Sequence, residues 1–116
     1  MEYNGDFRWD LKVGQLAEQL LADILSSKTV EVKRDFKASR TGKVFVEFFS
    51  RGKDSGIATT EADYWAFVVG EETIIIMPTD KLKIIVQEDI HKGKVVSGGD
   101  RNTSQGVLVK IERLVV

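Results

Sequence analysis

Three side chains in the first half of the chain have the types and spacing of a metal site that acts on phosphodiesters. Lys33 and Asp35 lie two residues apart in a segment that alternates apolar and polar residues, so both point to one side of a strand. Glu47 lies in a second alternating segment. Carboxylates that converge on one face can hold Mg²⁺, which polarises a phosphate and lowers the pKa of bound water. The alternative is a ladder of surface salt bridges, which contributes little energy.

The charge around these residues favours an anionic partner. Between positions 33 and 53 there are seven cations and only two anions, Asp35 and Glu47, although the whole chain has a net charge of −1. A locally positive lobe around two carboxylates suits a phosphodiester-binding site. A solvated, charged hairpin explains the same pattern. The candidate nucleic-acid contacts are Arg34, Lys37, Arg40, Lys43, Arg51 and Lys53.

The elements that must position these residues can be predicted from periodicity. Apolar residues recur at helical spacing over about 10 to 26, which predicts an amphipathic helix with Glu18 at the edge of its apolar stripe. The alternating segments predict strands over 29 to 36 and 43 to 49, joined as a hairpin. In the register that separates apolar from polar faces, Lys33 lies opposite Glu47 and Asp35 opposite Phe45.

The remaining chain completes an α/β pattern. Continuous apolar runs at 65–69 and 73–77 predict central strands, and a short helix is predicted before them over 61–64. A helix is predicted after Pro78, although 84–86 also suits a strand, and 91–106 is predicted as a surface loop before a last strand. The predicted order is α-β-β-(short α)-β-β-α-β, with a mixed central sheet flanked by helices. A length of 116 residues predicts one domain over 1–116.

Composition excludes several classes of site and indicates a compartment. The chain contains no cysteine, which excludes disulfides, zinc thiolate sites and thiol nucleophiles. Absence of cysteine suits a reducing cytoplasm, which is the expected location. The longest apolar runs are about five residues, against roughly 20 for a membrane span, so no membrane partner is expected.

Several motifs together resemble the PD-(D/E)xK nuclease superfamily, and in particular its small phage and bacterial members. They are Glu31-Val32-Lys33-Arg34-Asp35, Thr41-Gly42-Lys43-Val44-Phe45-Val46-Glu47, Ser55-Gly56-Ile57 and Ala62-Asp63-Tyr64-Trp65. The resemblance implies a restriction-endonuclease-like α-β-β-β-α-β core and Mg²⁺-dependent cleavage of DNA, with Mn²⁺ as a substitute metal. It also implies that Asp35 and Glu47 bind the metal, while Glu18 is an accessory acid on the first helix.

One position departs from the pattern of that superfamily. Its lysine sits two residues after the second acid, where this chain has Phe49. Lys33 is predicted to take over this role because it shares a face with both acids, whereas Lys53 lies in a predicted loop.

Three functional hypotheses follow. The first is a metal-dependent endonuclease. The second is a catalytically inactive relative that binds nucleic acid or protein on the same scaffold, because a fold does not guarantee an activity. The third is a dimerising α/β domain without a nucleic-acid role. A homodimer is compatible with each of them.

Overall fold

The computed structural model describes residues 7–26 and 28–115. The first helix of the described residues is α1, Phe7–Leu25, which confirms the predicted amphipathic helix and starts three residues earlier than predicted. The other helices are α2 (Ala38–Thr41), α3 (Thr79–His91) and α4 (Ile111–Leu114). Helix α3 confirms the helix predicted after Pro78.

The strands form two sheets, so the α/β class is confirmed but the single central sheet is not. The first sheet has the order β1 (Val30–Arg34), β4 (Tyr64–Val68), β5 (Ile74–Pro78). Strand β1 is parallel to β4, and β4 is antiparallel to β5. The second sheet is antiparallel, with the order β3 (Lys53–Asp54), β2 (Lys43–Ser50), β7 (Ser104–Lys110), β6 (Val96–Gly98).

The predicted hairpin between the first two strands is wrong. Strand β1 pairs with β4 in the register Lys33↔Phe67, and β2 pairs with β7 in the register Glu47↔Gly106. The connecting segment forms α2 instead of a tight turn, and its Ala38 is completely buried. Glu47 is therefore not the cross-strand neighbour of Lys33, and the register predicted for Asp35 does not occur.

Burial explains why this pairing is preferred. The inward residues of β2, Val44 and Val46, are fully buried beside Val107 and Val109 of β7. Burial of each of these valine side chains is favourable by about 1.5 kcal/mol or more. The pairing of β2 with β7 therefore places the inward valines of both strands in the core.

Both sheets contribute to one hydrophobic cluster with α3. Besides the inward valines of the second sheet, its members include Trp65 and Phe67 of β4, Met77 of β5, and Leu82 and Val86 of α3. An ion pair joins α4 to α3, because Arg113 donates from Nη1 to both carboxylate oxygens of Asp89 at 2.9 Å. Asp89 is 1% exposed. The core thus fixes the two sheets relative to each other.

Two local predictions also need correction. The short helix predicted after position 60 does not form, and a 3-10 turn is present earlier, over Gly56–Ala58. The predicted loop 91–106 contains strand β6 and the first residues of β7. None of the helices in the described parts of the chain has the length and apolar character needed to cross a membrane.

Candidate functional site

Glu47 lies on the face of β2 that points away from the core. Val44 and Val46 are buried. Lys43, Phe45 and Glu47 alternate with them along the strand, so these three side chains share the other face. The Glu47 carboxylate is half-buried, and its Oε2 accepts a hydrogen bond of 2.9 Å from the Ser55 hydroxyl. This bond reduces the freedom of the side chain and leaves Oε1 available.

The segment that follows Ser55 supports the same residue through its backbone. Gly56 has a φ of +54° and packs directly against Glu47, so that a Cβ there would collide with the Glu47 carbonyl oxygen and lie 2.9 Å from its carbonyl carbon. Ile57 anchors the turn in the core, with 3% exposure. The Ser55-Gly56-Ile57 motif therefore holds Glu47 in place, a role that sequence reasoning did not assign to it.

A β-bulge at Phe48 changes the position of Phe49, the residue that aligns with the lysine of the PD-(D/E)xK pattern. Glu47 pairs with Gly106 and Phe49 pairs with the adjacent Gln105, so Phe48 is an extra residue on β2. In an unbroken strand, residues two apart share a face, but a bulge breaks this alternation. The side chains of Glu47 and Phe49 therefore do not share a face by simple alternation along the strand.

Lys33 and Glu47 line the same open cleft. The cleft has a volume of about 520 Å³, and its lining includes Glu31 and Lys33 of β1, Glu47 of β2, and Thr60 and Glu61. Nζ of Lys33 forms an ion pair of 3.2 Å with Glu31 Oε1. It also lies 5.6 Å from the ring centroid of Trp65. Two contacts thus orient the ammonium group on the β1 side of the cleft.

Asp35 follows the end of β1 and is hydrogen-bonded to β2. Its Oδ1 accepts a 3.0 Å bond from the backbone N–H of Lys37, and its Oδ2 accepts a 3.0 Å bond from the N–H of Phe45. Asp35 lines a neighbouring cavity of about 440 Å³ with Lys37, Lys43 and Phe45, whereas Glu47 lines the cleft. Asp35 therefore positions β2 relative to β1, a structural role that the sequence did not reveal.

The other predicted site residues are spread over several places. Glu18 is exposed on α1 and is not among the residues that line the cleft. Lys37 and Lys43 share the cavity beside Asp35, and Arg34 stacks on Phe36 at 5.1 Å. The remaining predicted contacts are exposed, on α2 and at the turn between β2 and β3: Arg40, Arg51 and Lys53.

The carboxylates of Glu47 and Asp35 have the chemistry of magnesium ligands. Within residues 7–26 and 28–115, no group of three or more His, Cys, Asp or Glu side chains is arranged to hold a metal ion. Mg²⁺ is commonly bound through one or two carboxylates, with water and substrate phosphate completing its shell. A carboxylate has about four lone-pair sites, so the bonds made by Glu47 and Asp35 do not exhaust their capacity. The donor types of both residues therefore suit Mg²⁺, whereas the two carboxylates line different cavities.

A further carboxylate fixes β1 at its start. Oδ2 of Asp63 accepts hydrogen bonds from the backbone N–H and the hydroxyl of Thr29, at 3.1 and 3.2 Å. The backbone N–H of Asp63 donates in return to the carbonyl oxygen of Thr29 at 3.0 Å. The bond from the Thr29 N–H is the main cause that lowers the pKa of Asp63 below its ordinary value of 3.8. This clamp aligns β1 with β4.

Comparison of the chain with models of known protein families, with curated proteins and with solved structures gives no match. The resemblance to PD-(D/E)xK nucleases therefore remains a prediction from the motifs, and the function has to be argued from the site itself.

Proposed function

We propose that this protein is a Mg²⁺-dependent nuclease that hydrolyses phosphodiester bonds of DNA in the cleft between β1 and β2. The observation that supports the proposal is that Lys33 and Glu47 line the same open cleft. Asp35 lies at the junction of the same two strands and binds the backbone of Phe45. An acid and a lysine thus line the gap into which a phosphodiester would enter, and Asp35 lines another cavity.

The metal would be held by Glu47 and Asp35, with Mn²⁺ as a substitute. A bound Mg²⁺ supplies a Lewis acid that polarises the phosphate and favours ionisation of a water molecule. Glu47 is suited to this role because Ser55 and Gly56 restrain it from two directions. Restraint of a ligand before binding lowers the cost of ordering it when the metal and substrate bind.

Lys33 would replace the lysine that the superfamily has after its second acid. The bulge at Phe48 interrupts the alternation that would put residue 49 beside Glu47. Lys33 is already in the cleft, and it is held by Glu31 and by the face of Trp65. From there its ammonium group can stabilise negative charge that develops on the phosphate oxygens.

A cleavage assay with matched variants tests this proposal. Glu47→Gln and Lys33→Met keep the side-chain size, and each is expected to slow Mg²⁺-dependent cutting of supercoiled plasmid by about 100-fold or more. Glu112→Gln is the control, since its side chain is 77% exposed and lies on α4. EDTA should abolish cutting by the wild type. Cutting by Glu47→Gln at the wild-type rate would contradict the proposal, provided that its circular dichroism and melting temperature match the control.

A non-catalytic nucleic-acid-binding module is the second candidate. It is favoured by the two backbone hydrogen bonds that occupy both oxygens of Asp35, and by Phe49 at the usual lysine position. This alternative predicts DNA binding that weakens steeply with salt, because basic side chains release counterions from phosphates. It also predicts no cutting in Mg²⁺ or Mn²⁺. Metal-dependent cutting that Glu47→Gln abolishes would eliminate it.

A further inference from the structure

Helix α1 exposes apolar side chains over a wide arc. Between 47% and 74% of each is accessible to solvent in Leu11, Val13, Leu16, Leu20, Leu21 and Leu25. At 3.6 residues per turn these positions cover more than half of the helix circumference. The polar side chains Lys12, Gln15, Gln19 and Asp23 recur at intervals of three or four and form the opposite face. An arc this wide is typical of a helix that packs against neighbours on more than one side.

The first sheet exposes a second apolar surface. Cross-strand partners point to the same face, so the registers Val32↔Ala66↔Ile76 and Arg34↔Val68↔Ile74 define an outer face of this sheet. It lies opposite the face that carries Trp65 and Phe67 into the core. Val32, Ile74 and Ile76 are 62%, 58% and 39% exposed. The outer face thus has the apolar character of a sheet that a helix covers.

The two surfaces carry charges of opposite sign. Glu18 lies within the apolar arc of α1, seven residues after Leu11 and three before Leu21. Arg34 is the charged residue that the strand pairing puts on the outer face of the first sheet. A charge buried by docking needs an opposite partner, because an uncompensated charge in an apolar contact is costly. Glu18 and Arg34 would compensate each other if α1 covered this sheet.

The position of α1 indicates a second copy as the occupant. The molecule measures 56 × 32 × 30 Å, with a radius of gyration of 16.7 Å, against about 13 Å for a compact chain of this length. The residues at both ends of the connection from α1 to β1 are hydrogen-bonded. Ser26 bonds to Asp23 and Ala22, and Thr29 bonds to Asp63. The exposure of the apolar side chains of α1 and of the outer sheet face shows that α1 does not cover this sheet within its own chain. Both complementary surfaces are therefore open at once, and a closed two-fold pair satisfies both.

We propose that two copies of this chain exchange α1. In this dimer, α1 of each copy packs on the outer face of the partner's first sheet and pairs Glu18 with the partner's Arg34. The remaining apolar arc of each helix faces the other copy. The proposal concerns assembly alone and does not depend on nuclease activity.

Cross-linking tests the exchange directly, because the chain has no cysteine of its own. Chains that carry Leu20→Cys are mixed with chains that carry Ile76→Cys and are oxidised. The exchange predicts a covalent heterodimer on a non-reducing gel. A mixture of Leu20→Cys with Ile84→Cys is the control, since Ile84 is 57% exposed on α3, outside the proposed contact. If the Ile76 mixture gives no more heterodimer than the control, or if a chain with both Leu20→Cys and Ile76→Cys closes a bond within itself, the proposal is refuted.

Sedimentation velocity supplies a second, independent readout. The wild type is expected to sediment as a dimer, and Glu18→Arg or Arg34→Glu alone should raise the dissociation constant about tenfold or more. The two changes in one chain should restore the dimer, because the charges are exchanged. Lys12→Glu, on the polar face of α1, is the matched control and should leave the dimer intact. A wild type that is monomeric at micromolar concentrations would refute the proposal, whether or not the protein cuts DNA.

Discussion

Gly56 offers a sharp test of the support behind Glu47. Its φ of +54° is in the left-handed region, which costs a residue with a Cβ about 1–2 kcal/mol. Alanine at this position would also place its Cβ against the carbonyl group of Glu47, and overpacking of this kind typically adds about 1–3 kcal/mol. We therefore expect Gly56→Ala to lower the free energy of unfolding by about 2–5 kcal/mol.

The matched control is Gly42→Ala. Gly42 has a φ of +72°, but nothing lies within 4 Å of the place that a Cβ would take there, so only the conformational cost of about 1–2 kcal/mol applies. Urea unfolding followed by tryptophan fluorescence measures both variants. Under conditions where Gly56→Ala remains folded, it should also lose cleavage activity, because its Cβ displaces Glu47. Equal stability losses in the two variants would refute the close approach of Gly56 to Glu47.

Three other perturbations follow from named contacts. Arg113→Ala leaves the buried carboxylate of Asp89 without its cation and should lower the free energy of unfolding by about 3 kcal/mol or more, which urea titration measures. Asp63→Ala removes a carboxylate whose pKa is lowered by its bond to Thr29, so it should destabilise the fold above pH 3.8. The stability difference from the wild type should shrink as the pH falls through the lowered pKa. Thermal melts at a series of acidic pH values measure this difference. Ser55→Ala removes the hydroxyl donor to the cleft carboxylate and should cost about 1 kcal/mol in the same urea titration. The control for Ser55→Ala is Ser97→Ala, at an exposed position of β6, which should change the free energy of unfolding by no more than about 0.5 kcal/mol.

Local periodicity was sufficient to predict the elements whose pattern is long or strongly apolar. Helix α1 follows from residues spaced three and four apart, and β4 from its continuous apolar run, in which Trp65, Ala66 and Phe67 are all buried. Helix α3 follows from Pro78 and the buried stripe that includes Leu82 and Val86. In these segments the local preference and the tertiary packing agree.

Strand pairing was not predictable in the same way, because it depends on contacts between distant segments. The alternating pattern of β1 and β2 is satisfied equally well by a hairpin and by two different sheets. Two features decide between them. The hydrogen bonds between Thr29 and Asp63 connect residues 34 apart in sequence. The buried valines of β2 are paired with residues of β7. Neither connection leaves a signal in a local window of sequence.

The same limitation applies to the candidate site. The sequence identified Lys33 and Glu47, and the structure puts both on one cleft, although by a route different from the predicted register. The sequence did not reveal that Asp35 accepts two backbone hydrogen bonds, nor that a bulge follows Glu47. Side-chain to backbone bonds and bulges depend on the local path of the chain, which residue types alone do not specify.

The most direct test of the proposed function is to locate a metal ion. Crystals soaked in Mn²⁺ give an anomalous difference map in which the ion is identified by its own scattering. The proposal predicts a peak within coordination distance of the Glu47 carboxylate, and loss of this peak in Glu47→Gln crystals. A map without a peak at Glu47, or with the same peak in the Glu47→Gln variant, would contradict a metal-dependent site in this cleft.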